Sequence, residues 1–144
     1  MTSTELPGVI ERWLNSTEAQ LTLHIDDGPV VLTRYHDGVG CAAVMTLPVK
    51  VDDRLLHKAL RYSSAAVLRL GMEAAALCWS GADAQLWLLM RHEPDDPVRL
   101  CRTLEALVNQ RDVWQSLLAP LARPASSPPL NLKTLAFLQG DQHA

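Results

Sequence analysis

Apolar side chains at the start of the chain recur at helical spacing. Leu6, Val9, Ile10, Trp13 and Leu14 share one face, with Glu5, Glu11 and Arg12 off it, so a short amphipathic helix is predicted. Pro7 suits its first turn. From Gln20 to Ile25 the period changes to two: Leu21, Leu23 and Ile25 point one way, Gln20, Thr22 and His24 the other, as in a half-buried strand. Asp26-Asp27-Gly28-Pro29 is turn chemistry, and Val30 to Tyr35 is rich in β-branched residues, which together predict a hairpin. A second turn at His36-Asp37-Gly38-Val39-Gly40 leads into an apolar run, Cys41 to Leu47, closed by Pro48. These three strands form a meander.

From Asp52, a suitable N-cap, the spacing is helical again. Leu56, Ala59, Leu60, Ser63, Ala66, Val67 and Leu70 make a stripe, and Gly71 supplies a stop. Small residues at Ser63 to Ala66 would let another element approach closely, either the domain's own sheet or a second copy of the chain. Ala74 to Trp79 and Ala84 to Arg91 flank Ser80-Gly81-Ala82-Asp83 as a second hairpin, whose later strand is apolar on both faces and should be covered on both. After Pro97 a long helix runs to about Leu118, with Cys101, Leu104, Leu107, Val108, Trp114, Leu117 and Leu118 on its stripe, and Pro120 ends it. The order is α-β-β-β-α-β-β-α, an α+β fold with an antiparallel, twisted sheet packed against helices. One domain is expected over residues 1–121. Residues 122–144 read as a Pro/Ser-rich linker and a short apolar tail containing Leu130, Leu132, Leu135, Phe137 and Leu138.

Composition narrows the function. The 144 residues are 48% hydrophobic and 20% charged, enough for one core. A net charge of -3 with interspersed signs gives no footprint for nucleic acid, and one Phe, two Tyr and four Trp give few stacking platforms. No apolar run reaches the roughly 18 residues of a membrane span, and Met1 to Glu5 do not begin a secretory signal. Cys41, Cys78 and Cys101, odd in number and far apart, suit reduced thiols in the cytoplasm.

Candidate chemistry is sparse. Gly38-Val39-Gly40-Cys41-Ala42-Ala43 matches the letters of a dinucleotide fingerprint, but too few residues remain before Pro48 for the required helix. His24, His36, His57, His92 and His143 lack metal-ligand spacing, and Ser63-Ser64 lacks a nucleophile elbow. Glu93, Asp95 and Asp96 lie among prolines in what reads as a solvated loop, and Asp26-Asp27 reads as turn-shaping acids. No catalytic residue, metal or cofactor is assigned, and the chain is expected not to be an enzyme. A thiol-based hydrolase or transferase assembled only in three dimensions would leave no local motif.

The element order resembles that of the class I chaperones of bacterial type III secretion, the Tir chaperone-like family. The sharper part of the resemblance is the segment Leu60-Arg61-Tyr62-Ser63-Ser64-Ala65-Ala66-Val67, the hairpin Ala75 to Leu88, and the final helix from Leu104 to Val113-Trp114-Gln115-Ser116-Leu117-Leu118, an aliphatic run followed by an aromatic residue and two leucines. The chain departs from the family pattern in its mild acidity, in the Arg91 to Pro97 segment, and in the apolar tail after Pro129.

The resemblance implies a cytoplasmic bacterial dimer that binds the N-terminal, non-globular segment of one or more secreted effectors and keeps it soluble for export. The same fold could instead hold a folded partner or a transcription regulator. Implied partners are the effector, a second copy of the chain or a related chaperone, and the secretion ATPase, with no nucleic acid and no membrane insertion. Client contacts would come from Leu6, Ile10, Trp13, Leu14, Leu21, Leu23, Val30, Leu32 and Val44, and the dimer interface from Leu60, Ser63, Val67, Trp79 and Trp87. Ordinary core packing is the competing reading for each.

Overall fold

Proline and aspartate set the helix starts. In the computed structural model, which describes residues 5–26, 28–93 and 96–120, α1 (Leu6–Leu14) carries Pro7 in its first turn. Asp52 caps α2 (Asp53–Leu70) by accepting from the Leu55 N–H at 2.8 Å. Asp96 caps α3 (Pro97–Leu118) by accepting from the Val98 N–H at 2.9 Å. Asp96 is therefore a helix cap, while Pro94 and Asp95 of the predicted acidic loop lie outside the described residues. Gly71, at φ 59°, ends α2 as predicted and opens a short 3-10 turn over Gly71–Glu73.

The strands are β1 (Gln20–Ile25), β2 (Gly28–Tyr35), β3 (Gly38–Val44), β4 (Ala76–Ser80) and β5 (Gln85–His92). They form one antiparallel sheet in the order β1-β2-β3-β5-β4, so the meander and the later hairpin join through β3 and β5. The third strand begins and ends three residues earlier than the sequence suggests. Its glycines are not turn residues. Gly38 pairs with Tyr35 across a two-residue turn, and Gly40 pairs with Thr33. Glycine is needed there for close approach: a Cβ on Gly38 would lie 2.7 Å from the His92 carbonyl oxygen, and one on Gly40 2.7 Å from the Tyr35 ring.

One face of the sheet presents Leu23, Val30, Leu32, Val39, Cys41, Ala43, Leu86 and Leu88, all buried. Helix α3 lies against β3 and β5 on this face and also contacts α1 and α2. Its buried stripe is Leu100, Leu104, Leu107, Val108, Arg111, Trp114 and Leu118. A buried leucine of this kind contributes about 1.5–3 kcal/mol relative to exposure, so α3 is the main fastener of the core. Cys101 is only half-buried and Leu117 is exposed, so the predicted stripe shifts toward Leu100 and Arg111. Two glutamines on α3 also hold loops in place. Gln115 accepts from the Thr46 N–H at 2.8 Å, and Gln110 accepts from the Ala75 N–H and donates to the Glu73 carbonyl, each at 2.8 Å.

Helix α2 is held far less firmly. Of its 18 residues only Ala59 is buried, with Leu55, Leu56, Tyr62 and Ala66 partly packed on the core. The tail from residue 121 onward lies outside the described residues.

Candidate interaction surfaces

Backbone geometry makes the β1 edge a strand acceptor. The Arg34 N–H donates to the Ala19 carbonyl at 2.8 Å, and the β1–β2 register continues from that pair. The alternation of an antiparallel ladder then directs the backbone groups of Leu21, Leu23 and Ile25 at β2, and those of Gln20, Thr22 and His24 outward. Pro29 breaks nothing, because its missing N–H falls beyond the last β2–β3 pair, Val30 with Ala43. Strand β4 is the opposite edge of the sheet.

The C-terminal end of α1 is tied to β2 by Arg34. Its guanidinium donates to the Trp13 carbonyl at 2.7 Å and the Leu14 carbonyl at 3.2 Å, and stacks over the Trp13 ring at 5.0 Å. It thereby satisfies carbonyls at the C-terminal end of the helix and opposes that end's negative dipole charge. The indole itself is buried.

The nine residues named for client contact divide into two sets. Ile10, Trp13, Leu23, Val30, Leu32 and Val44 are buried, so their surface is already occupied by neighbours within the chain. Leu6, Leu14 and Leu21 are half-buried and keep surface facing water. Leu21 lies on the edge strand itself, and Leu6 and Leu14 lie at the two ends of α1.

The five residues named for a dimer interface are all at least partly accessible, but they do not share one face. Leu60 and Val67 are 62% and 55% exposed on the side of α2 turned away from the core, joined there by Leu68 at 88%. Ser63 lies near the same stripe and is half-buried. In the hairpin, Trp79 pairs with Leu86 on the helix-bearing face, where it is 42% exposed at the sheet edge. Trp87 pairs with Cys78 on the other face, among the partly exposed Ala42 and Leu89. Adjacent-position alternation separates the two tryptophans.

A groove of about 510 Å³ runs between α2 and α3, which sequence reasoning missed. Tyr62, Ala65, Ala66, Arg69 and Leu70 form one wall, and Asn109, Gln110, Val113, Trp114 and Leu117 the other. The spacing on both helices is a signal that was available, but two flanking stripes become a groove only when the crossing of the helices is known.

Chemistry-bearing groups are dispersed. Among the described residues no three His, Cys, Asp or Glu side chains converge as metal ligands. Burial pushes the Cys41 thiol up to about 12 from an ordinary 9.0, and burial, then the nearby Asp96 carboxylate, raise that of Cys101. Both shifts oppose thiolate formation. The glycine-rich segment lies inside β3, not at a strand-to-helix turn. No described helix is long and apolar enough to cross a membrane.

No protein-family model and no curated protein matches the chain. Solved structures do. A chain of the ExsC–ExsE complex superposes with a TM-score of 0.60 at 11% identity, over 81% of this chain and 96% of that one. A chain of the heterodimeric ExoU–SpcU complex from the type III secretion system of Pseudomonas aeruginosa gives 0.54 at 21%, over 84% and 100%. One from the HopA1–SchA chaperone–effector complex gives 0.55 at 14%, over 78% and 92%. The chain has the type III secretion chaperone fold. The match extends over nearly the whole length of each neighbour.

Proposed function

We propose that this chain is a type III secretion chaperone, acting in the cytoplasm without catalysis, that binds the N-terminal, non-globular segment of one or more effectors and keeps it soluble for export. The observation that carries the reading is a regular sheet edge at β1, with no further strand on it among the described residues and half-buried Leu21 on it, while Leu6 and Leu14 of α1 are also half-buried. An extended segment entering an apolar surface must find partners for its own N–H and C=O groups, each costly to leave unpaired. The outward groups of Gln20, Thr22 and His24 supply them, and alternate client side chains then meet the apolar flank. That the fold is shared with chains solved in a chaperone–effector complex supports the same reading.

The chain is further proposed to work as a dimer, because Leu60, Val67 and Leu68 leave an apolar stripe on a helix with little hold on its own core. The test is titration of the chain with N-terminal segments of secreted proteins encoded beside it, followed by calorimetry and limited proteolysis. One segment, unstructured when free, should bind with micromolar affinity or better and become protected. Capture of a folded regulator with no such segment bound would overturn the reading.

A further inference from the structure

The groove between α2 and α3 is apolar where it is deep and open where it meets water. Ala65 and Ala66 give it depth, Gln110 has both ends of its amide engaged elsewhere, and Val113 at its mouth is 59% exposed. Apolar lips of this kind are costly to leave in water. The groove is also distinct from the proposed dimer face: Leu60 and Val67 project from the far side of α2 from Tyr62 and Arg69.

Its position relative to the chain's exit identifies an occupant. Leu117, in the last turn of α3, lines the groove, and the chain leaves the helix at once: Ala119 is extended and Pro120 forbids another turn. Beyond lie 24 residues, 121–144. The Pro/Ser-rich part through Pro129 can reach about 30 Å when extended. The groove walls span nine residues of each helix, about 12 Å from first to last. The apolar residues that follow, Leu130, Leu132, Leu135, Phe137 and Leu138, carry one positive charge among them, Lys133, and no acid. A short tether holds such a segment near its target at millimolar effective concentration, which favours it over a free competitor.

We infer that the C-terminal segment Leu130–Leu138 folds back and docks in the α2–α3 groove of its own chain. The tail thus covers the weakly held flank of α2 and leaves the opposite flank for a second copy. This goes beyond the client reading and does not depend on it.

The test uses the full chain with Phe137→benzoylphenylalanine, irradiated at low micromolar concentration and mapped by mass spectrometry. Crosslinks within one chain to the Tyr62–Leu70 or Asn109–Leu117 segments are expected. Ala65→Arg and Val113→Arg, both at exposed positions, should each reduce that yield at least fivefold while circular dichroism stays unchanged. Crosslinks only between two chains would assign the groove to a second copy's tail, and crosslinks elsewhere or none would show that the tail does not dock there. Either result overturns the inference.

Discussion

Arg111 is a charged side chain of 1% accessibility in the midst of the apolar stripe of α3. Its guanidinium donates to the Ile25 carbonyl at 2.9 Å and Asp26 carbonyl at 3.4 Å, fixing the β1–β2 turn to the helix, with Asp112 3.6 Å from its Nε. Gly28 makes the room: a Cβ there would stand 2.4 Å from Arg111 Nη1. Arg111→Ala should cost about 2–4 kcal/mol in urea unfolding, from lost packing and an unpaired carbonyl, and Arg111→Met should recover the packing part. Gly28→Ala should cost about 1–3 kcal/mol through overpacking, and less in the Arg111→Met background, because the two changes share one contact. Additive costs would show that the guanidinium does not fill that space. Cys41 gives a second residue-scale prediction. With its pKa pushed up to about 12, the Cys41 thiol is protonated in both the folded and the unfolded chain well below pH 9. Between pH 9 and 12 the unfolded chain loses the proton while the folded one keeps it, so stability falls as pH rises across that window. The denaturation midpoint should therefore drop more from pH 8 to 10.5 in the parent than in Cys41→Ala. Alkylation of Cys41 at pH 8 in the native state should run about a thousandfold slower than for a free thiol.

At the scale of elements, β1 offers a test that separates edge chemistry from stability. Thr22 sends its N–H outward, so Thr22→Pro removes a docking donor and leaves the β1–β2 ladder intact. Client affinity should fall at least tenfold in calorimetry with the melting temperature within a few degrees of the parent. Leu23→Pro, which removes an inward bond, should lower the melting temperature itself. Elements with strong local punctuation were legible in the sequence: Pro7, Asp52, Gly71 and Pro120 bound helices where the structure has them, and the alternation at Gln20 to Ile25 is β1 to the residue. β3 was not, because Gly38 and Gly40 have the composition of a turn yet serve close approach within the sheet. Nor could spacing reveal Arg111, whose partners lie 86 and 85 residues away, or show which apolar residues of α1 and β2 keep surface for a ligand. Alternation shows which face is apolar and says nothing of how completely a neighbour covers it.

For the whole molecule, α3 lies against the sheet with α1 and α2 in contact with it, and the apolar surface left among the described residues includes the outer flank of α2 and the sheet face around Trp87. A lone chain gains little by holding an 18-residue helix through one buried alanine, and a second copy laid against that flank would bury what the first leaves exposed. An isologous interface needs the same patch on both partners, which Leu60, Val67 and Leu68, one surface of a single helix, provide without further elements. The parent should therefore scatter light with twice the 15.9 kDa mass of the chain. Leu60→Asp with Val67→Asp sets like charges across the two-fold axis and should return the monomer mass, with the core intact because both side chains are exposed before substitution. Trp87→Ala discriminates the geometry. It should weaken the dimer only if the sheet face joins the seam, and because Trp79 lies on the opposite face of the hairpin, Trp79→Ala should not reproduce that effect. A parent of monomer mass at micromolar concentration would leave the α2 flank to some other partner.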